Sequence, residues 1–274
     1  MNTLQPTIIY GTAWKKSDTE ELVKTALQEG FRAIDTACQP KHYDEAGVGA
    51  GIAASLSDTL SRADLYLQTK FTSLTGQDSK LVPYDPRVPL AGQVTQSLGA
   101  SLRNLRTSYV DCLVLHSPLE NAQQTLVAWR AMESLVAGGA VRQLGISNCY
   151  HVEQLDLIYK AVTIKPSVIQ NRFYAAARYD REIRAFCTEH QITYQSFWTL
   201  TANRDLLARP AVIELAAKHQ RTPEQVWFRY ATQLGIVPLT GTRSRVHMRE
   251  DLGIFEFELN AAERETLDAF LVPA

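Results

Sequence analysis

Residues 110–147, VDCLVLHSPLENAQQTLVAWRAMESLVAGGAVRQLGIS, decide the fold. The segment opens with a nearly continuous apolar run at 110–117 and closes on a second short run, RQLGIS, at 142–147. Between them Leu126, Trp129, Met132, Leu135 and Val136 recur at helical spacing, so 122–137 reads as a helix with one buried face. Apolar runs of this kind fit strands covered on both faces, as in a parallel sheet. The same alternation continues in both directions. Strand candidates at 7–11, 32–37, 65–71, 167–171, 192–197 and 235–240 bring the total to eight. Segment 18–29 places Leu22, Val23, Ala26 and Leu27 on one helical face. Ser17 with Glu20, Thr222 with Gln225 and Asn260 with Glu263 have capping spacing, and Pro223 takes a first helical position. The expectation is an α/β fold: a single (β/α)8 TIM barrel over residues 1–274, with its active site at the C-terminal mouth of the strands. An open doubly wound sheet is the alternative, because counting strands does not show closure.

Composition narrows the function classes. The 274 residues are 45% hydrophobic and 21% charged, enough to bury a large core without staples. A net charge of −1 leaves no electrostatic footprint for nucleic acid or an anionic membrane. Cys38, Cys112, Cys149 and Cys187 are far apart and show no metal-ligand spacing, so reduced, buried thiols and no metal are expected. The start, MNTLQPTIIYGTAW, has neither the basic nor the apolar region of a signal peptide. No apolar stretch approaches the ~18–20 residues that span a bilayer. These features predict a soluble, cytoplasmic protein.

Two irregular stretches, 72–90 and 198–209, follow the third and seventh strands, on the side where barrels build their sites. The strand ends there are polar: Asp35, Lys70 and His116 close the second, third and fourth strands. Ser147-Asn148 and Gln170-Asn171 close the fifth and sixth. Taken singly, Asp35 reads as a turn cap, Lys70 as a snorkelling amine, His116 as a core histidine and Asn148 as a cap for a helix at 150–162. Brought to one mouth, they form a reactive cluster, since buried polar groups need partners. Tyr43 is the tyrosine best placed to join them. A phenol titrates near ~10 unless perturbed, and a neighbouring ammonium is expected to favour the phenolate, with a carboxylate behind it keeping the amine charged. His116 is then placed to donate a hydrogen bond to a carbonyl oxygen.

The strings GTAWKK, GFRAIDTA, HYDEAGVG, LQTKF, YVDCLVLHSP, GGAVRQLGISN, IQNRF and PLTGTRSRVHMREDLGIFEFEL occur in the order and spacing of one family. Over nearly its whole length the chain resembles the aldo-keto reductases. The resemblance implies NAD(P)H-dependent reduction of aldehydes or ketones, with Asp35, Tyr43, Lys70 and His116 as the catalytic tetrad and Tyr43 as proton donor. It places Ser147, Asn148 and Gln170 on the nicotinamide carboxamide, Phe197 under the ring and Leu200 at the pyrophosphate loop. GVGAG at 47–51 looks like a dinucleotide loop but lacks the preceding strand, so it reads as a helix start. At the adenosine end the chain departs from the pattern. Gly241-Thr242 stand where many relatives carry Lys-Ser, and His247 stands at their arginine. Glu250-Asp251 occupy the Glu-Asn positions, which puts Asp251 among the cofactor residues. Thr242 with Arg243 or Arg245 is expected to hold a 2′-phosphate, making NADPH the cofactor and NADH the second choice. Trp14, Tyr84 and Trp198 are the expected substrate-pocket residues, in a pocket for a small, moderately hydrophobic carbonyl compound. The chain ends soon after the helix starting near Asn260, so the long C-terminal loop of many relatives is expected to be missing. A monomer is expected in preference to a dimer. The alternatives are an NADPH-binding regulatory subunit with little turnover, a reductase tailoring a specialised metabolite, and a lyase using Lys70 as a Schiff-base amine.

Overall fold

The computed structural model describes residues 5–271. Eight parallel strands follow one another around a closed barrel. They are β1 (Ile9–Gly11), β2 (Ala33–Asp35), β3 (Tyr66–Phe71) and β4 (Val110–Leu115). β5 (Val141–Ser147), β6 (Val168–Arg172), β7 (Thr193–Phe197) and β8 (Val237–Thr240) complete it. β8 returns to β1 through the pairs Ile9↔Leu239 and Tyr10↔Thr240, which closes the sheet and excludes the open alternative.

Eleven α-helices lie among the described residues. α1 (Thr19–Glu29), α2 (Glu45–Ser55), α3 (Leu90–Asn104) and α4 (Ala122–Ala137) follow the first four strands. α5 (Val152–Ala161) and α6 (Arg181–Glu189) follow β5 and β6. After β7 come the short α7 (Arg204–Leu207), then α8 (Pro210–His219) and α9 (Pro223–Gln233). α10 (Arg245–Leu252) and α11 (Ala261–Asp268) follow β8. The Thr222/Gln225 and Asn260/Glu263 capping boxes both form, and Pro223 opens α9. Ser17 is not a cap: it lies in a 3-10 turn, Lys16–Asp18, which moves the start of α1 to Thr19. No helix of the described residues is long and apolar enough to cross a membrane.

Strand alternation explains how the site is placed. Successive side chains point to opposite faces, so every second residue enters the barrel. Ile9, Ala33, Tyr66, Cys112, Val114 and Val168 form a small apolar cluster separate from the larger strand–helix core. One step of two residues towards the C-terminal ends changes the chemistry: Ala33 is followed by Asp35, Tyr66 by Gln68 and Lys70, and Val168 by Gln170 and Arg172. The barrel is thus apolar at its base and polar at its mouth. All four cysteines are buried and free, and burial pushes each thiol up to about 12.

The GVGAG string is a helix-packing device, in keeping with its reading as helix rather than dinucleotide loop. Its glycines lie in α2, where a Cβ on Gly49 would overlap the Asn104 carbonyl oxygen and lie 2.8 Å from Leu105 Cα. A Cβ on Gly51 would come 2.7 Å from the Glu20 carbonyl oxygen of α1. Both obstacles are backbone and yield little. Gly49→Ala is therefore expected to destabilise the fold by about 2–3 kcal/mol, the upper range for overpacking. Urea unfolding showing a change below ~0.5 kcal/mol, within the usual range of a neutral surface substitution, would contradict this packing.

Candidate active site

The floor of the mouth is an ion pair with almost no access to solvent. Lys70 Nζ donates to Asp35 Oδ1 at 2.6 Å, to Oδ2 at 2.7 Å and to the Thr36 carbonyl at 2.9 Å, using all three of its protons. Asp35 also accepts from Gln68 Nε2 at 2.6 Å and Gln170 Nε2 at 3.0 Å. Both amides continue to Gln195 Oε1, each at 2.9 Å. Burial alone would lower the Lys70 ammonium, but the charge of Asp35 and the bonds to it leave it raised. A fully hydrogen-bonded ammonium is no Schiff-base nucleophile, so the lyase alternative is set aside.

Tyr43 reaches the same point from the loop between β2 and α2. The backbone N–H groups of His42 and Tyr43 both donate to the Gln39 carbonyl, and Asp44 caps α2 by accepting from Gly47 N at 2.9 Å. This turn holds the Tyr43 ring with its centroid 5.2 Å from Lys70 Nζ and 6.1 Å from the His116 ring. The expected drift towards phenolate is not what the balance of forces gives. Burial pushes the Tyr43 phenol up; Lys70 pulls it down and Asp35 raises it again, leaving it above its ordinary value. Tyr43 is a protonated phenol at neutral pH.

His116 is fixed from behind. Its Nδ1 lies 2.6 Å from Thr72 Oγ1, and no other partner of that hydroxyl is found among the described residues. With the hydroxyl donating to Nδ1, the ring proton sits on Nε2. Burial, and then the charges of Lys70 and His42, push the imidazole down to about 3. Asn148 does not cap α5, which starts at Val152 behind His151. Held at a left-handed φ of 53°, it donates instead through Nδ2 to the His116 carbonyl at 2.9 Å. Ser147 Oγ donates to the Gln170 carbonyl at 2.6 Å, tying β5 to β6 at the mouth.

Above this floor opens a cavity of about 1360 Å³. It is larger than the ~300–1,000 Å³ of most small-ligand pockets. It collects all the expected site residues except Lys70, which lies behind Asp35, and two others that are corrections. Tyr84 is buried outside it: its hydroxyl donates to the Thr72 carbonyl at 2.8 Å and its ring packs 5.7 Å from Phe71, anchoring the 72–90 loop. Arg245 pairs with Glu29, together with Arg249, on the outer surface. Arg243 lines the cavity and pairs with Asp18. Asp251 borders the cavity, but its carboxylate is engaged by Thr240 Oγ1 at 2.6 Å and burial pushes it up to about 7. Trp14, 55% exposed, stacks 3.9 Å from His42.

Three cations of the lining, Lys15, Arg172 and Arg204, lie outside the sequence-based set. Lys15, 3% exposed, donates to the Gly241 carbonyl, and burial and then Arg243 push it down to about 8. A Cβ at Gly241 would lie 3.7 Å from its Nζ, an ordinary contact, so it is the Gly241 carbonyl that holds the amine in place. Arg172 is the last residue of β6, and Arg204 opens α7. The lining suits a nicotinamide dinucleotide: an aromatic face at Phe197, amides at Asn148 and Gln170, and cations at Lys15 and Arg243. No cluster of metal-ligating residues occurs among the described residues.

The model of the Aldo/keto reductase family matches residues 7–272. An aldo-keto reductase of Mycolicibacterium vanbaalenii is 32% identical over 92% of this chain and 83% of its own. The glyoxal reductase of Bacillus subtilis is 29% identical over the same shares of the two chains. The crystal structure of an aldo/keto reductase from Brucella melitensis superposes with a TM-score of 0.82 at 25% identity, covering 97% of this chain and 95% of that one. The chain belongs to the aldo/keto reductase family, a family of oxidoreductases.

The neutral state of His116 can be checked directly. Its folded value lies below its ordinary 6.5, so the stabilisation it brings is complete above pH ~6.5 and is lost as pH falls towards 3. Nitrogen-15 NMR should show a neutral imidazole at pH 5 with the proton on Nε2. A protonation midpoint near 6.5 would contradict the burial described above.

Proposed function

We propose that this protein is an NADPH-dependent reductase converting an aldehyde or ketone to the alcohol. The observation that carries the reading is geometric: Tyr43 and His116 line one large cavity with ring centres 6.1 Å apart, and the Lys70–Asp35 pair stands behind Tyr43 with Nζ 5.2 Å from its ring. The chemistry a dihydronicotinamide held by this lining would supply is a hydride for the carbonyl carbon. His116 Nε2–H donates to the carbonyl oxygen and orients it. As negative charge builds on that oxygen, the Tyr43 hydroxyl delivers its proton. The Lys70 ammonium stabilises the phenolate left behind, and Asp35 keeps the ammonium charged and in place. Thr72 serves as a positioning residue by setting the His116 tautomer.

Phe197 would stack on the nicotinamide ring, with Ser147, Asn148 and Gln170 at its carboxamide and Leu200 beside the pyrophosphate. At the adenosine end His247 would face the base, and Thr242, Arg243 and Lys15 would meet the phosphates. Lys15 takes over from the lysine that many relatives carry where this chain has Gly241. This cationic group favours NADPH over NADH, with Arg243 rather than Arg245 as the arginine involved.

Two outcomes test the reading. Tyr43→Phe should lower kcat for carbonyl reduction by at least about 1,000-fold, or about 4 kcal/mol, while the Kd for NADPH stays within about threefold. Residual turnover above a tenth of wild type would remove Tyr43 from its role. Arg243→Ala should raise the NADPH Kd by about tenfold and leave NADH nearly untouched, as expected for losing a charge-assisted bond. Arg245→Ala should change neither, and an equal effect of the two variants would refute the assignment.

A further inference from the structure

Arg172 has no counter-charge and no task in the chemistry above. Lying two residues beyond Gln170 on β6, it shares Gln170's inward parity and stands one tier higher, in the wall of the mouth. Its register partner is Phe197 on β7. The backbone there is pinned, since Arg172 N donates to Tyr150 Oη at 3.1 Å and Tyr150 Oη donates to Asn148 Oδ1 at 3.3 Å.

The guanidinium is held by aromatic faces alone. Its carbon lies 4.0 Å from the Trp198 ring centre, 5.2 Å from Tyr174 and 5.9 Å from Phe197. Trp198 adopts a left-handed φ of 57°, uncommon for a bulky residue, and its indole remains 48% exposed. A guanidinium carries five N–H donors. Among the described residues none of those of Arg172 meets an acceptor, and Nε is fully enclosed. Arg221, Arg229 and Arg264 also have an enclosed, unpartnered Nε, but the terminal nitrogens of the first two rest on Glu256 and Glu258, and none of the three lines the cavity. No carboxylate lies within ion-pair distance of Arg172 among the described residues, whereas Asp35 is matched by Lys70. Glu224, Glu250 and Asp251 border the cavity from α9 and α10, towards the adenosine end. Stacking on Trp198 accounts for the orientation of the guanidinium and leaves its hydrogen-bonding capacity unused.

We infer that Arg172, backed by Trp198, is a specificity-determining residue that binds a carboxylate on the carbonyl substrate. The inference rests on the reductase reading and deepens it: the substrate class is an aldehyde or ketone bearing a carboxylate on the part distant from the reacting carbonyl. A planar fork matches a carboxylate bidentately, and stacking on an aromatic ring holds the fork ready. The sequence-based expectation of a moderately hydrophobic substrate is thereby narrowed to an amphipathic one.

The test compares near-isosteric pairs: 4-carboxybenzaldehyde with methyl 4-formylbenzoate, and 4-oxobutanoate with its methyl ester. Wild type should favour each acid over its ester by about 10- to 100-fold in kcat/KM, mostly through KM, the range of a charge-assisted pair. Arg172→Gln should bring that ratio close to one. Arg172→Lys should leave an intermediate ratio, because a point charge cannot form the fork. A second measurement needs no turnover: calorimetric titration of the NADPH-loaded protein with 4-(hydroxymethyl)benzoate and with its methyl ester. The acid should bind at least tenfold more tightly, and Arg172→Gln should abolish the difference. A wild-type ratio near one in both measurements overturns the inference, whatever the variants do. So does an Arg172→Gln protein that loses acid and ester alike, or that loses NADPH affinity instead. If no carbonyl is reduced but the calorimetric preference holds and depends on Arg172, the subsite stands and the reductase reading falls.

Discussion

The ion pair between Asp35 and Lys70 is the constraint around which the barrel mouth is organised. Two charges withdrawn from water cost several kcal/mol each unless their remaining hydrogen-bonding positions are filled. Here they are filled: Gln68 and Gln170 complete Asp35, the Thr36 carbonyl completes Lys70, and Gln195 links the two amides. The network draws on β2, β3, β6 and β7, so it spans the barrel. Removing one charge would leave the other stranded, which is why the pair acts as a unit. In the proposed reaction its consequence is chemical, because a fixed positive charge stands beside Tyr43 when the phenol gives up its proton.

The rest of the site follows from strand parity and from what lies behind each inward side chain. His116 is held neutral by burial and aimed by Thr72, while Tyr43 is presented by a capped turn that has no strand of its own. Rigid strands place the floor, and loops after them place the walls, the usual division in barrels. Trp14 and Trp198 take left-handed backbone angles that turn their rings into the mouth. Lys15 and Arg172 bring cations to its wall; in the proposed function the first meets a dinucleotide's phosphates, and the second is inferred to face a substrate.

Much of this was legible in the sequence, for a physical reason. Apolar runs ending in Asp35, Lys70, His116, Ser147 and Gln170 combine a strong period with a costly exception, and both signals survive without coordinates. What was not legible depends on side-chain direction or on gaps elsewhere. Tyr84 lies in a loop, where no period tells inward from outward, and it serves the loop rather than the pocket. Arg243 and Arg245 look equivalent in TGTRSRVH, but only one faces the cavity once α10 begins between them. Lys15 is held by a bond to the carbonyl of Gly241, distant in sequence, which no local pattern shows. Arg172 was hidden beside Gln170-Asn171, although counting inward parity one step further along β6 would have found it. The tendency of Lys70 to favour the phenolate was also right in sign, and burial outweighed it.

The most direct measurement is turnover in the double variant Asp35→Asn/Lys70→Met, which removes the ion pair without stranding a buried charge. NADPH oxidation would be followed at 340 nm with 4-carboxybenzaldehyde, and dinucleotide affinity measured separately. The expected result is a folded protein that binds NADPH within about threefold of wild type and reduces the aldehyde at least about 100-fold more slowly, the lower bound for losing assisted proton transfer. Turnover within about threefold of wild type would show that the pair only stabilises the barrel, and the proton would have to come from elsewhere.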